Sequence, residues 1–186
     1  TDQNIKILSL EVNLDSPEEI NAFYKEVENN LGSVDILVNN TGGPPPSSFD
    51  QISDEDWLNA FNSTMMSSVR LSRAVIPHMK ENNWGRIINI SSVSVKTPVN
   101  GLFLSNSLRM GVLGWAKALA DELAVYGVTV NTVCPGYTRT ERVEAILESQ
   151  STSSGLSKEE IEKTIAGNIP MKLSLIHISE PTRRRT

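Results

Sequence analysis

Residues 85–109 read GRIINISSVSVKTPVNGLFLSNSLR, and the predicted fold is based first on this stretch. Its start is rich in isoleucine over 87–90 and runs into a serine pair, a pattern typical of a β-strand. Ser92 comes directly after that strand, at the end where open parallel sheets bind their ligands. The stretch finishes in a predicted helix on which Ser105 and Arg109, four residues apart, project from one face. It therefore predicts one strand-to-helix step with polar side chains gathered at the end of the strand.

Strand-like and helix-like segments alternate along the rest of the chain. The strand-like segments lie at 5–12, 34–43, 87–90 and 128–134. The helix-like segments lie at 17–31, from Ser53 to Pro77, at 103–126, and in shorter pieces at 141–149 and 157–166. This alternation predicts the α/β fold class, with a Rossmann-like, doubly wound parallel sheet.

The composition is that of an ordinary globular protein. Of the 186 residues, 39% are hydrophobic and 21% are charged, which excludes disordered and collagen-like classes. No uninterrupted apolar run of about 18 residues occurs, so the sequence predicts no membrane-spanning helix. The net charge of −5 argues against a nucleic-acid-binding surface. The single cysteine, Cys134, cannot form an internal disulfide, which favours a cytoplasmic location.

Residues 54–56 are all acidic and could be taken for a catalytic carboxylate cluster. They follow Ser53 and occupy the first turn of a predicted helix, where acidic side chains are favoured by the helix dipole. The sequence therefore predicts that they cap the helix.

The spacing of Ser92, Ser105 and Arg109 resembles the active site of the short-chain dehydrogenase/reductase family. That family has a serine, then twelve residues, then Tyr-x-x-x-Lys; here the spacing is kept, but Ser105 replaces the tyrosine and Arg109 the lysine. Residues 39–42 read Asn-Asn-Thr-Gly where the family has Asn-Asn-Ala-Gly. Residues 135–140 match its Pro-Gly-x-x-x-Thr loop. Within the family, the sequence resembles the members that are similar to 3-oxoacyl-ACP reductase.

The resemblance implies catalytic roles for four residues. Ser92 would polarise a substrate carbonyl, and Ser105 and Arg109 stand in the places of the family's acid and its cationic neighbour. Thr64 stands in the register of an asparagine that relays protons in the family. Because serine is a far weaker acid than tyrosine, and arginine stays protonated with a pKa above about 12, neither substituted residue is expected to transfer protons well.

The resemblance also implies that the protein binds NAD or NADP. Asn13 stands where the family has an aspartate that holds the adenine amino group, although an ordinary loop role is an open alternative. Gly42 would let the backbone approach a ribose closely, and Arg109 could donate paired hydrogen bonds to ribose hydroxyls. The cofactor-binding residues implied in this way are Asn13, Asn40, Thr41, Gly42, Arg109, Pro135, Gly136, Thr138 and Thr140.

Two functions stay open at this point. The first is an NAD(P)-dependent oxidoreductase that transfers hydride between nicotinamide and a ketone or secondary alcohol, with an altered proton donor. Tyr137 is a weaker candidate for that donor, because non-acidic residues are common at its loop position in the family. The second is a cofactor-binding protein with little or no catalysis that acts through dimerisation or ligand sensing.

The expected partners are a small carbonyl or alcohol substrate and further copies of the chain, as a homodimer or homotetramer. No nucleic acid, membrane or metal is expected.

Residues 1–172 are predicted to form a partial domain of this family, because the resemblance spans 5–172. The family's first β-α-β unit and last strand have no counterpart in the sequence, so the fragment by itself is expected to be inactive. Residues 173–183 read LSLIHISEPTR, which resembles a translated sequencing adapter. We therefore expect 173–186 to be a non-native tail.

Deletion of residues 173–186 from the complete protein should leave its thermal midpoint unchanged within about 1 °C, because a tail outside the fold makes no stabilising contacts. Differential scanning calorimetry of the two forms measures this difference. A larger fall in the midpoint would show that the tail belongs to the fold.

Overall fold

The computed structural model describes residues 5–137 and 140–169. The chain forms two compact units, of which the first ends at Cys134 and the second begins at Pro135. Within the described residues, no helix is both long and apolar enough to cross a lipid bilayer.

The first unit contains a parallel sheet of three strands in the order β1-β2-β3. The strands are β1 (Ile36–Asn39), β2 (Gly85–Ile90) and β3 (Val128–Val133). The α-helices of this unit are α1 (Pro17–Leu31), α2 (Asp54–Ala60), α3 (Ser67–Glu81) and α4 (Phe103–Leu123). A π-helix, Phe61–Met66, joins α2 to α3, and short 3-10 turns lie at Phe49–Gln51, Val93–Val95 and Ala124–Tyr126. The second unit contains α5 (Glu141–Ser154) and α6 (Lys158–Gly167). The predicted α/β class with a parallel sheet is confirmed.

The strand predicted at 5–12 is wrong. These residues join no β-ladder in the structure, and the side chains of Ile5 and Ile7 are 78% and 86% exposed. An apolar alternation describes side chains only, whereas a strand also needs a neighbouring backbone to pair its N–H and C=O groups. The described part of the chain offers this segment no such neighbour, so the sheet has three strands where the sequence predicted four.

Two helices begin at serine caps, and one of these serines, Ser53, was indicated by the sequence. The Ser16 hydroxyl accepts a hydrogen bond from the Glu19 backbone N–H at 3.1 Å, and α1 begins at the next residue. Ser53 and Asp56 form a reciprocal capping box at the start of α2. The hydrogen bonds from Ser53 hold the pKa of the Asp56 carboxyl below its usual value. The predicted capping role is thereby confirmed for Asp56, and all three acidic residues lie in the first turn of α2 as predicted.

The main hydrophobic core lies between α3, α4 and the strands β2 and β3. Ile87 on β2 is fully buried, and burial alternates along this strand. Burying an aliphatic side chain of this size contributes about 1.5–3 kcal/mol. The buried core residues are Val75, Met79, Ile87, Ala116, Leu123, Val128 and Val130. They fix β2 and β3 against two helices, so the ends of both strands are held in place.

The helix predicted to run from Ser53 to Pro77 is interrupted by the π-helix Phe61–Met66. This segment packs closely on α4, because a Cβ atom at Gly111 would lie 3.2 Å from Met65 Sδ. At Gly114 on the same helix, a Cβ atom would meet nothing within 4 Å. Of these two glycines of α4, Gly111 is therefore the one that allows close packing within the described part of the chain.

A methyl group at position 85 should destabilise the protein, because a Cβ atom there would lie 2.4 Å from Met79 Sδ. Gly85→Ala is expected to lower the free energy of unfolding by about 1–3 kcal/mol through overpacking. Urea denaturation measures this change. The matched control is Gly114→Ala, which should raise stability by about 0.5–1 kcal/mol because alanine favours the helix and has room. Equal effects of the two substitutions would contradict the packing argument.

Candidate active site

The candidate site lies where the three parallel strands end. Asn39, Asn89 and Thr132 stand at the same level of β1, β2 and β3, close to the carboxyl end of each strand. The turn at residues 40–42 follows β1, and Ser91 and Ser92 follow β2. This is the edge of an open parallel sheet at which ligands bind.

Arg109 on α4 reaches these strand ends with its guanidinium group. Nη1 donates hydrogen bonds to the backbone oxygens of Ile90 and Ser91 at 3.2 and 3.1 Å, and Nη2 donates to that of Thr41 at 3.4 Å. The side chain is buried, with 9% of its surface exposed. A buried charge is costly unless hydrogen bonds compensate it, and these carbonyl oxygens do so. The sequence did not predict these contacts; its prediction that Arg109 binds a ribose stays a prediction.

Ser105 lies against the same guanidinium group. Its side chain is buried, and its Oγ accepts a hydrogen bond from Arg109 Nε at 3.3 Å. The four-residue helical spacing therefore brings Ser105 and Arg109 together, as predicted from the sequence. A hydroxyl next to a permanent cation can stabilise negative charge, but with serine's low acidity it remains a poor proton donor.

Ser92 is oriented by its own turn. Its Oγ accepts a hydrogen bond from the Ser94 backbone N–H at 3.1 Å, which caps the 3-10 turn Val93–Val95. A hydroxyl that accepts in this way keeps its proton for a second bond. Since Ser92 is only partly buried, that proton can be donated to the oxygen of a substrate carbonyl.

A buried pair of asparagines, which was not predicted as part of the site, links the strand ends. Asn39 Nδ2 donates to Asn89 Oδ1 at 2.9 Å and to Ser72 Oγ at 3.3 Å. Thr64, predicted as a catalytic residue, is buried on the π-helix and lines a small cavity with both asparagines. Each asparagine interrupts an apolar run, Asn39 after Val38 and Asn89 between Ile88 and Ile90, which marks it as unusual but does not show that the two pair.

The predicted cofactor residues of the first unit lie on exposed turns. Asn40 and Gly42 are exposed, and a Cβ atom at Gly42 would meet nothing within 4 Å. The fold itself therefore does not require glycine at this position, and the predicted contact of this backbone with a ribose stays a prediction. Asn13 Oδ1 accepts a hydrogen bond from the Asp15 backbone N–H at 3.0 Å, as in an ordinary Asx turn. Its second lone pair is the one that an adenine amino group would use.

The remaining predicted cofactor residues lie in the second unit. Pro135 is partly buried and Gly136 is exposed, with nothing within 4 Å of a Cβ atom placed on Gly136. Thr140 caps α5, because its Oγ1 accepts a hydrogen bond from the Val143 backbone N–H at 3.3 Å. Thr138 lies outside the described residues. Burial raises the pKa of Tyr137, which makes its phenol a weaker acid than usual.

Comparison with known protein families matches residues 1–151 to the short chain dehydrogenase family. Nodulation protein G of Azospirillum brasilense is 38% identical over 155 residues, which make up 83% of this chain and 58% of that protein. The 3-oxoacyl-(acyl-carrier-protein) reductase FabG of Vibrio cholerae is 37% identical over 142 residues, or 76% of this chain and 58% of the reductase. The chain thus spans less than two thirds of the length of these relatives.

Among solved structures, an actinorhodin polyketide ketoreductase variant with NADPH superposes with a TM-score of 0.80. It is 33% identical in sequence, and the match covers 88% of this chain and 63% of that one. YwfH, an NADPH-dependent reductase involved in bacilysin biosynthesis, gives a TM-score of 0.78 at 27% identity, with 87% of this chain and 62% of that one covered. These neighbours share the parallel α/β fold that the sequence predicted.

Replacement of Arg109 by methionine should lower the free energy of unfolding by about 2–4 kcal/mol, because three strand-end carbonyls lose a charged donor. Chemical denaturation measures the loss. The control is Arg73→Met on the exposed side of α3, which should change stability by less than about 0.5 kcal/mol. If the two variants were equally stable, Arg109 would not hold the strand ends in solution.

Proposed function

Because the chain belongs to the short-chain dehydrogenase/reductase family, we propose that its protein is an oxidoreductase that transfers hydride between NAD or NADP and a ketone or secondary alcohol. The observation that carries this proposal is the Ser92 hydroxyl, held at the end of β2 with its proton left to donate. The bound nicotinamide would supply or accept the hydride. In this proposal the chain's own residues hold and polarise the carbonyl group.

The exposed turn that includes Asn40 and Gly42 is the proposed contact for the ribose on the nicotinamide side of the cofactor. Its backbone is open, and Arg109 fixes the neighbouring Thr41 carbonyl. Pro135, Gly136, Thr138 and Thr140 are proposed to contact the carboxamide and pyrophosphate. NADPH is the first cofactor to test, because the similar ketoreductase structure contains it.

Proton transfer is the step at which this chain should differ from the family pattern. Ser105 is hydrogen-bonded to Arg109, and neither group releases a proton near neutral pH. The raised pKa of Tyr137 makes that residue an unsuitable substitute. We expect the proton to come from solvent, with a loss of the factor of about 10²–10⁴ that a positioned acid contributes.

The second candidate function is a protein that binds the cofactor with little or no catalysis. The observation that favours it is the engagement of Arg109 with the backbone oxygens of Thr41, Ile90 and Ser91. A guanidinium used in this way supports the site's shape without taking part in chemistry. Cofactor binding without turnover is the result that would separate this function from the first.

A 3-oxoacyl thioester is the proposed test substrate, because the name of the Vibrio cholerae relative refers to a 3-oxoacyl group. The complete protein is proposed to be a cytoplasmic homodimer or homotetramer. Large apolar side chains on α2 and α4 support the assembly: Leu58, Phe103 and Met110 are 62%, 44% and 49% exposed.

In the complete protein, Ser105→Tyr combined with Arg109→Lys should raise carbonyl reduction by at least about tenfold, whereas each change alone should do less. The tyrosine needs a nearby cation to lower its pKa, and the compact lysine leaves room for the ring. Single-turnover rates with NADPH and the thioester measure the effect. The control is Ser107→Tyr, which places the same ring on an exposed position of α4.

A double variant no faster than the parent protein would contradict the proposed loss of the acid. If NADPH fluorescence showed binding while every variant lacked turnover, the non-catalytic function would be supported instead. If Ser92→Ala left the rate of an active variant unchanged, Ser92 would not polarise the carbonyl.

A further inference from the structure

A small cavity lies among the strand ends in the first unit. Its lining includes Asn39, Thr41, Thr64, Asn89, Ser91 and Arg109. The space inside it that is open to the centre of a water molecule is about 10 Å³. Since one buried water requires about 10–15 Å³ by this measure, the cavity has room for one water molecule and nothing larger.

Four buried side-chain atoms on residues of this lining have no hydrogen-bond partner: Asn39 Oδ1, Thr64 Oγ1, Asn89 Nδ2 and Ser91 Oγ. Buried polar atoms nearly always have a partner, so four such atoms around one cavity point to a shared ligand. The amide oxygen accepts, the amide nitrogen donates, and each hydroxyl can do either. A water molecule, with two protons and two lone pairs, matches this set.

We propose that this cavity binds one water molecule, which bridges Asn39 of β1, Asn89 and Ser91 at the end of β2, and Thr64 of the π-helix. The water thereby joins two strand ends to the helix that packs beside them. Arg109 on the same lining excludes a metal cation, because like charges repel strongly in a buried site.

This site gives Thr64 a positioning role in place of the proton-relay role that the sequence predicted. Ser92 and Ser105 are not among the residues that line the described cavity, so the water does not contact either hydroxyl of the candidate active site. Its function is to satisfy the two amides and hold them in a single orientation. The inference does not depend on the proposed oxidoreductase activity.

The test compares Thr64→Val, which replaces the hydroxyl by a methyl group of the same shape, with Thr64→Ser, which keeps the hydroxyl. Oxygen-17 relaxation dispersion counts the long-lived internal waters of the complete protein. Thr64→Val should lose one of them and lower the thermal midpoint by about 2–4 °C, because the remaining polar groups lose their bridge. Thr64→Ser should retain the full count.

Ser94→Ala is the matched control. Ser94 Oγ is also buried without a partner, but Ser94 is not part of the cavity lining, so its replacement should leave the water count unchanged. A Thr64→Val protein with a higher midpoint and an unchanged count would overturn the proposal, because removing an unsatisfied hydroxyl is itself stabilising. If Thr64→Val does not fold, Ser91→Ala takes its place: loss of one water supports the site, and an unchanged count overturns it.

Discussion

The buried guanidinium of Arg109 is the interaction on which the candidate site depends. At the ends of parallel strands, carbonyl groups no longer pair with a neighbouring strand. A buried carbonyl group without a hydrogen-bond partner lowers the stability of a protein. Arg109 supplies donors to the backbone oxygens of Thr41, Ile90 and Ser91. Thr41 lies in the turn proposed for the ribose, and Ser91 precedes Ser92. One side chain on α4 therefore sets the distance between the cofactor turn and the residue that would polarise a carbonyl.

Ser105 and Arg109, which differ from the Tyr-x-x-x-Lys pattern expected from the family resemblance, contact each other in this structure. Arginine carries five donors in a planar fork, enough to reach the strand-end oxygens and Ser105 together, whereas lysine has three donors at a single point. The short Ser105 side chain meets the inner edge of that fork, because its Oγ accepts from Arg109 Nε. What the pair gains is a charge-assisted bridge between helix and sheet. The pair lacks the acidic phenol of the tyrosine and the exchangeable proton of the lysine that the resembled family has at these positions.

Features fixed by neighbouring residues could be predicted from the sequence, and features that need distant partners could not. The bounds of α1 and the capping box at Ser53 follow from residues within a few positions. The prediction of a strand at 5–12 failed because the backbone of a strand must form hydrogen bonds with a second strand. The hydrogen bond between Asn39 and Asn89 joins residues 50 positions apart, so neither local pattern reveals it. For the same reason the local sequence did not show that backbone oxygens up to 68 positions away bind the guanidinium of Arg109.

The structure separates two parts of the proposed chemistry that the family's motif treats as one. Ser92 is held by a bond to Ser94 within its own turn, whereas Ser105 is held by Arg109 on the helix. In the proposed chemistry, the orientation of the Ser92 hydroxyl therefore relies on local backbone geometry, whereas Ser105 and Arg109 stand in the place of the family's proton donor without releasing a proton. Arg109 nevertheless supports Ser92 from one residue away, because its guanidinium also binds the Ser91 backbone oxygen. The proposed site therefore has a hydroxyl that can hold a carbonyl at position 92, although its residues at positions 105 and 109 are poor proton donors.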